Sequence, residues 1–153
     1  MALESRYSTT VFSPHKFKPH GRIESSVVGN LFIQEATGPF NKEILLAMES
    51  VHAGPRELLT SGGRWAAIFV FRHSALASPE MLEGLKNYLA TQVTRKNASV
   101  ATALVMPPQV EGALLMGSLY LRAWRGAGIT CEIFGAREDA EHWISTRLAM
   151  TTP

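Results

Sequence analysis

The run Trp65–Phe71 (WAAIFVF) constrains the fold more than any other part of the chain. It is unbroken in apolar character, too short for an independent helix, and rich in aromatic and branched side chains. A strand covered on both faces reads this way. A polar turn follows, Arg72-His73-Ser74, and Ser78-Pro79-Glu80 then opens a helix. Buried strand, turn and helix make half of a parallel βαβ unit. Sites in such sheets gather beyond the carboxyl ends of the strands. Arg72, His73, Ser74 and Ser78 are therefore the first candidates for a partner-binding or switch site.

The flanking segments extend this unit. Arg22–Val28 and Leu31–Ala36 read as strands around Gly29-Asn30, which suits a primed hairpin turn. Gly38-Pro39 breaks the second strand, and Asn41 is placed to cap a helix whose apolar face is Ile44, Leu45, Met48 and Val51. Gly54-Pro55 is expected to end or kink that helix, with Arg56–Thr60 available for one further turn. Ser61-Gly62-Gly63 is glycine-rich but precedes a strand. Phosphate cradles follow a strand and open a helix, so this is read as a turn. Ser78 suits an N-cap and Pro79 the first helical position. Ala98–Met106 is a second apolar strand and Val110–Arg125 a helix. Ile129–Phe134 is the last strand, Ala136–Ala149 the last helix, and Thr151 begins a short tail.

The expected order is ββαβαβαβα: an α/β fold with five strands in a mostly parallel sheet, an N-terminal β-hairpin and four helices. It fills a single domain over residues 21–150. Residues 1–20 lack periodicity and carry the basic cluster His15, Lys16, Lys18 and His20. They read as an arm, a solvated tail that an anionic surface could also contact.

At 153 residues the chain is large enough for one domain with its own core. A net charge of +2 does not call for a nucleic-acid partner. No apolar run approaches the ~18 residues of a membrane span, and the N-terminus lacks a signal-peptide stretch, so a cytoplasmic location is expected. Cys131, the single cysteine, alternates with Ile129 and Ile133 and reads as a small buried hydrophobe. The five histidines show no HxH or HExxH spacing, so neither metal nor cofactor is expected. His73 and Ser74 are adjacent, but neighbours in extended chain point opposite ways. No GxSxG elbow is present. Glu138, Asp139 and Glu141 lie in a helix first turn, where they complement the dipole. No set of residues meets the geometric needs of catalysis, and a non-enzymatic role is expected.

The helix Val110–Arg125 is unusually apolar. Its polar stripe is Glu111, Ser118, Arg122 and Arg125. Leu115, Met116, Leu119, Tyr120 and Trp124, with Leu114 and Leu121, cover much of the remainder. One sheet-facing stripe does not require that much apolar surface. A dimer contact, a partner groove, a lipid-facing patch, or simple cover by neighbouring elements all remain open.

VVGNLFIQEATGPFNKEILLAM resembles the strand–turn–strand–G-P-F-N–helix opening of the SpoIIAA-like proteins, a bacterial branch of the STAS domain superfamily. EIFGAREDAEHWI resembles that family's closing signature, carried here by Phe134, Ala140, Trp143 and Ile144. The resemblance spans about Arg22 to Ile144. It implies a STAS-like domain that binds rather than catalyses. The superfamily's sporulation regulators bind a kinase partner and are switched by phosphorylation of a serine after the central strand, at the start of the following helix. Ser74 and Ser78 occupy that region, but FRHSALASPE replaces the usual Asp-Ser-Ser-Gly-like pattern. SpoIIAA-like proteins also imply nonpolar ligands or membrane contact. Two expectations follow. One is a regulatory module engaging a protein partner through Arg72–Ser78. The alternative is a carrier or sensor of a lipid-like ligand or membrane surface through Leu115, Met116, Leu119, Tyr120 and Trp124.

Overall fold

The computed structural model describes residues 4–11 and 20–150. The cluster His15, Lys16 and Lys18 and the tail from Thr151 lie outside the described residues. Six strands form one sheet in the order of the sequence. They are β1 (Glu4–Ser8), β2 (Arg22–Val28), β3 (Leu31–Thr37), β4 (Ala66–Arg72), β5 (Ala101–Val105) and β6 (Cys131–Phe134). β1–β3 form an antiparallel meander, and β3–β6 run parallel. The sixth strand corrects the expected count of five. It comes from the segment read as a loose arm, where Glu4–Ser8 pairs with Val28–Glu24. Its sequence, ESRYS, gives almost no hydrophobic pattern, because an edge strand is held by its backbone.

The expected hairpin is present, with Val28 opposite Leu31. Gly29 supplies the positive φ (61°) that the first position of such a turn demands. β4 lies between two parallel neighbours, and six of its seven residues are buried. The unbroken apolar run is explained by that position, since neither face of β4 meets water.

Four helices complete the chain: α1 (Glu43–Ser61), α2 (Pro79–Thr94), α3 (Ala113–Gly126) and α4 (Arg137–Ala149). α1 does not end at Gly54-Pro55. It continues to Ser61 with Pro55 inside it. Proline removes one helical N–H, which local rules read as a break. Buried side chains on both sides of it, His52, Arg56 and Leu59, hold the two halves on the sheet. Asn41 is not a side-chain cap either. The cap position is Lys42, without a side-chain bond, and the Asn41 Oδ1 accepts the His20 N–H at 2.7 Å.

Alternation along the strands divides the core into two layers. Ile23, Ala36, Phe69, Phe71 and Leu104 face α1–α3 and pack with Ile44, Met48, Leu85, Tyr120 and Trp124. Ile68, Val70, Ala103 and Val105 face the other way and pack with Ala140 and Ile144 of α4. Ala66, Ala101 and Ala103 are fully buried in this second layer. Such small side chains let a helix settle close to a sheet. α4 covers β4 and β5 and leaves the same face of β2 and β3 open. There Glu24, Ser26, Ile33 and Glu35, with Arg6 and Arg137, line a shallow depression of about 470 Å³.

Candidate functional site

The loops after β3, β4 and β5 meet at the carboxyl end of the parallel strands and are joined by backbone hydrogen bonds. Gly38 N–H donates to the Ser74 carbonyl at 3.0 Å and Phe40 N–H to that of Leu76 at 2.8 Å. Ser78 N–H returns a bond to the Phe40 carbonyl at 3.2 Å. On the other side, Ala75 N–H donates to the Glu111 carbonyl at 2.8 Å and Glu111 N–H to that of His73 at 3.1 Å. These bonds prolong the parallel sheet by short bridges, Phe40 to Ala77 and Ser74 to Glu111. Satisfied backbone of this kind makes the loops a platform rather than free chain. The Tyr120 hydroxyl strengthens it from below, donating to the Ala75 carbonyl at 2.7 Å. Burial raises the pKa of that phenol, so it remains a donor.

The four residues expected at the turn take four different places. Arg72 is exposed and pairs with Glu35 of β3 at 3.2 Å. His73 is exposed and held at a φ of 65°, a conformation that non-glycine residues seldom adopt. Ser74 is fully buried, and its Oγ accepts the Leu76 N–H at 3.2 Å. Ser78 caps α2, its Oγ accepting the Met81 N–H at 3.1 Å. They do not converge on a common point. Of the four, only His73 is exposed with no side-chain partner among the described residues.

The five residues of the apolar helix also separate. Met116, Tyr120 and Trp124 are buried in the core, where Tyr120 and Trp124 meet Phe71 and Phe69 at ring-centroid distances of 5.0 and 5.3 Å. Leu119 is half-buried. Leu115 is 67% exposed, and its neighbour Leu114 is 91% exposed. The surplus apolar surface is therefore confined to the first turn of α3. That turn begins at Gly112, which lies so close to Leu76 that an added Cβ would approach its Cδ2 to 2.5 Å. The exposed leucines thus stand beside the stitched turn. Turn and helix, read as separate candidates in the sequence, are joined at the helix entrance, where Glu111 and Gly112 meet residues 73–76.

In the core, Phe40, Phe69, Phe71, Tyr120 and Trp124 help line a small apolar cavity of about 20 Å³. That volume suits one water molecule, not a lipid chain.

A buried polar group escaped the sequence reading. Ser25 Oγ and His52 Nε2 lie 2.9 Å apart between β2 and α1. Ser25 is 4% exposed and His52 fully buried. The pair has the spacing of a nucleophile and base, but burial, aided by the nearby Arg56 charge, lowers the His52 pKa to about 3. A base so weak cannot take a serine proton near neutral pH. Its Nδ1 has no hydrogen-bond partner among the described residues to orient it. The signal that could have found the pair was Ser25 itself, which alternates in phase with the inward Ile23 and Val27. Cys131 is buried, and burial pushes its thiol up to about 12 despite the Arg125 charge nearby. Among the described residues, no three His, Cys, Asp or Glu side chains come together as a metal site. Nor is any helix among them long and apolar enough to cross a membrane.

No family model, curated protein or solved structure matches this chain.

Proposed function

We propose that the protein is a non-enzymatic, STAS-like binding module that engages a protein partner at the carboxyl end of its parallel strands. The observation that carries this reading is the exposed pair Leu114 and Leu115 beside the turn Arg72–Ser78. Large exposed apolar side chains on a preorganised backbone bind with little ordering cost. The surroundings favour a protein over a lipid surface. Residues 106–118 contain no lysine or arginine, Glu111 sits at the helix entrance, and the one cation of the turn, Arg72, is paired with Glu35. Membrane-seeking tips use basic residues to meet anionic headgroups. The SpoIIAA-like resemblance, carried by the motifs and the order of elements, supports binding at the same end of the sheet. The lipid-carrier alternative draws less support, because Met116, Tyr120 and Trp124 serve the core and the cavity under them is small.

The test is a photo-crosslinking amino acid at His73, used in cells that make the protein. A discrete protein adduct is expected. It should fall at least about tenfold when Leu114→Glu and Leu115→Glu are combined, with circular dichroism unchanged, since such exposed changes perturb stability by only about 0.5 kcal/mol. An adduct indifferent to both leucines would overturn the reading. Binding of the purified protein to anionic vesicles, lost in the same variant, would replace it with the membrane alternative.

A further inference from the structure

We infer that the groove between α1 and α2 is a second docking site, fitted to a basic amphipathic helix of a partner protein. The two helices follow parallel strands and run side by side. Between them is an open groove of about 420 Å³. Its floor is apolar. Leu45 and Tyr88 are largely buried there, while Leu46 is 57% exposed at its edge. Gly84 gives the floor its depth: a Cβ at that position would come within 2.6 Å of the Leu45 Cδ1. On α2 the lining recurs as Glu80, Gly84, Asn87 and Thr91, a single stripe at helical spacing. At 1.5 Å per residue that stripe is about 16 Å long, or three helical turns. An amphipathic helix laying apolar residues i, i+3, i+4 and i+7 into such a trough is a recurrent recognition mode.

The rim fixes the sign of the partner. Glu43, Glu49 and Glu80 line the groove against one cation, Lys42, in a chain whose net charge is +2. Glu43 and Glu80 occupy first turns, where carboxylates also complement helix poles. Glu49 is mid-helix and has no such reason to be there. Its ion pair with Arg95 is long, 3.9 Å, and both side chains are more than half exposed. A pair of that kind is weak enough for an incoming lysine or arginine to replace. Acidic walls over an apolar floor match a helix with one apolar face and basic flanks, and repel an acidic one.

The probe is a synthetic amphipathic peptide of about 15 residues, leucine on one face and lysine on the other. It is titrated into ¹⁵N-labelled protein and compared with a peptide carrying glutamate in place of lysine. Saturable chemical-shift changes are expected at residues 42–49 and 80–92, weakened by salt and absent with the glutamate peptide. Leu46→Lys combined with Glu49→Lys, both at exposed positions, should weaken binding at least tenfold. Undiminished binding to that variant, shifts centred on Leu114 and Leu115 instead, or no saturable binding would overturn the inference. The crosslinking surface at His73 is separate, so either proposal can fail alone.

Discussion

Arg56 and His52 stand one helical turn apart on α1, both buried, and Arg56 has no carboxylate partner among the described residues. Its guanidinium lies 5.4–6.0 Å from the ring centres of Tyr88, Trp65 and Phe32 and donates to the Tyr88 hydroxyl and the Asn97 carbonyl. Aromatic faces and neutral oxygens here replace a counter-ion. The consequence falls on His52, which must stay neutral when folded. Its folded pKa is about 3 against an ordinary 6.5. Below 6.5 the unfolded chain therefore takes up a proton that the folded chain refuses. Stability falls as pH drops from 6.5 towards 3, by about 1.4 kcal/mol per unit from this group. In urea unfolding, the loss between pH 6.5 and 5 should shrink by about 2 kcal/mol in His52→Gln; an equal loss in both chains would refute the assignment. Gln34 offers the opposite test. It is fully buried, and neither its Nε2 nor its Oε1 has a hydrogen-bond partner among the described residues. An orphaned buried amide costs about 1–3 kcal/mol, so Gln34→Met should raise the unfolding free energy by about that much. A destabilised variant would show that the amide is satisfied after all.

The elements legible in the sequence were those whose local chemistry agrees with their tertiary setting. Trp65–Phe71 is apolar because β4 is covered on both faces, and Ser78-Pro79 opens α2 because cap and first position carry suitable residues. Where tertiary contacts overrule local rules, the local signal misleads: Gly54-Pro55 does not end α1, which runs on through Arg56–Thr60, and Asn41 spends its side-chain oxygen on His20. Cover on α3 was illegible for a similar reason. Composition showed the surplus of apolar residues, but only packing reveals that Met116, Tyr120 and Trp124 are core while Leu114 and Leu115 are free. The candidate site was half legible: the turn at the end of β4 followed from topology, whereas burial of Ser74 did not. The loop platform depends on one close approach that the sequence does mark, at Gly38. A Cβ there would collide with the Ser74 carbonyl. Gly38→Ala should therefore push the β3 and β4 loops apart and destabilise the fold by about 1–3 kcal/mol. Hydrogen exchange at Phe40 and Ser78 should quicken more than exchange within β4. Unchanged protection at both amides would show that the loops do not depend on this contact.

For the whole molecule, sequential strand order has two consequences. Each crossover among β3–β6 packs its helix on one side, so three helices share a face and only α4 covers the other. The meander is then left to protect one edge of the sheet by itself. β1 performs that task with a sequence too polar to announce it: Tyr7 is the one large apolar residue of ESRYS, and it packs on the Val27 and Trp65 cluster. Just beyond, Thr9 Oγ1 accepts the Ile23 N–H at 2.9 Å, a bond buried within the fold. Removal of residues 1–11 should uncover the β2 ladder along its five paired positions, Glu24–Val28, and orphan the Ile23 N–H. At about 1 kcal/mol net per backbone hydrogen bond, the loss should be about 3–5 kcal/mol. An uncovered strand also templates pairing with another copy. The truncated chain is thus expected to unfold at lower urea and to elute, by light scattering, as a concentration-dependent oligomer. Ser26→Lys on that chain places a charge on the exposed edge and should restore the monomer without restoring stability. Those two responses separate edge protection from simple loss of packing. If the truncated chain stays monomeric and as stable as the full chain, β1 is an ornament on the sheet and the edge of β2 protects itself.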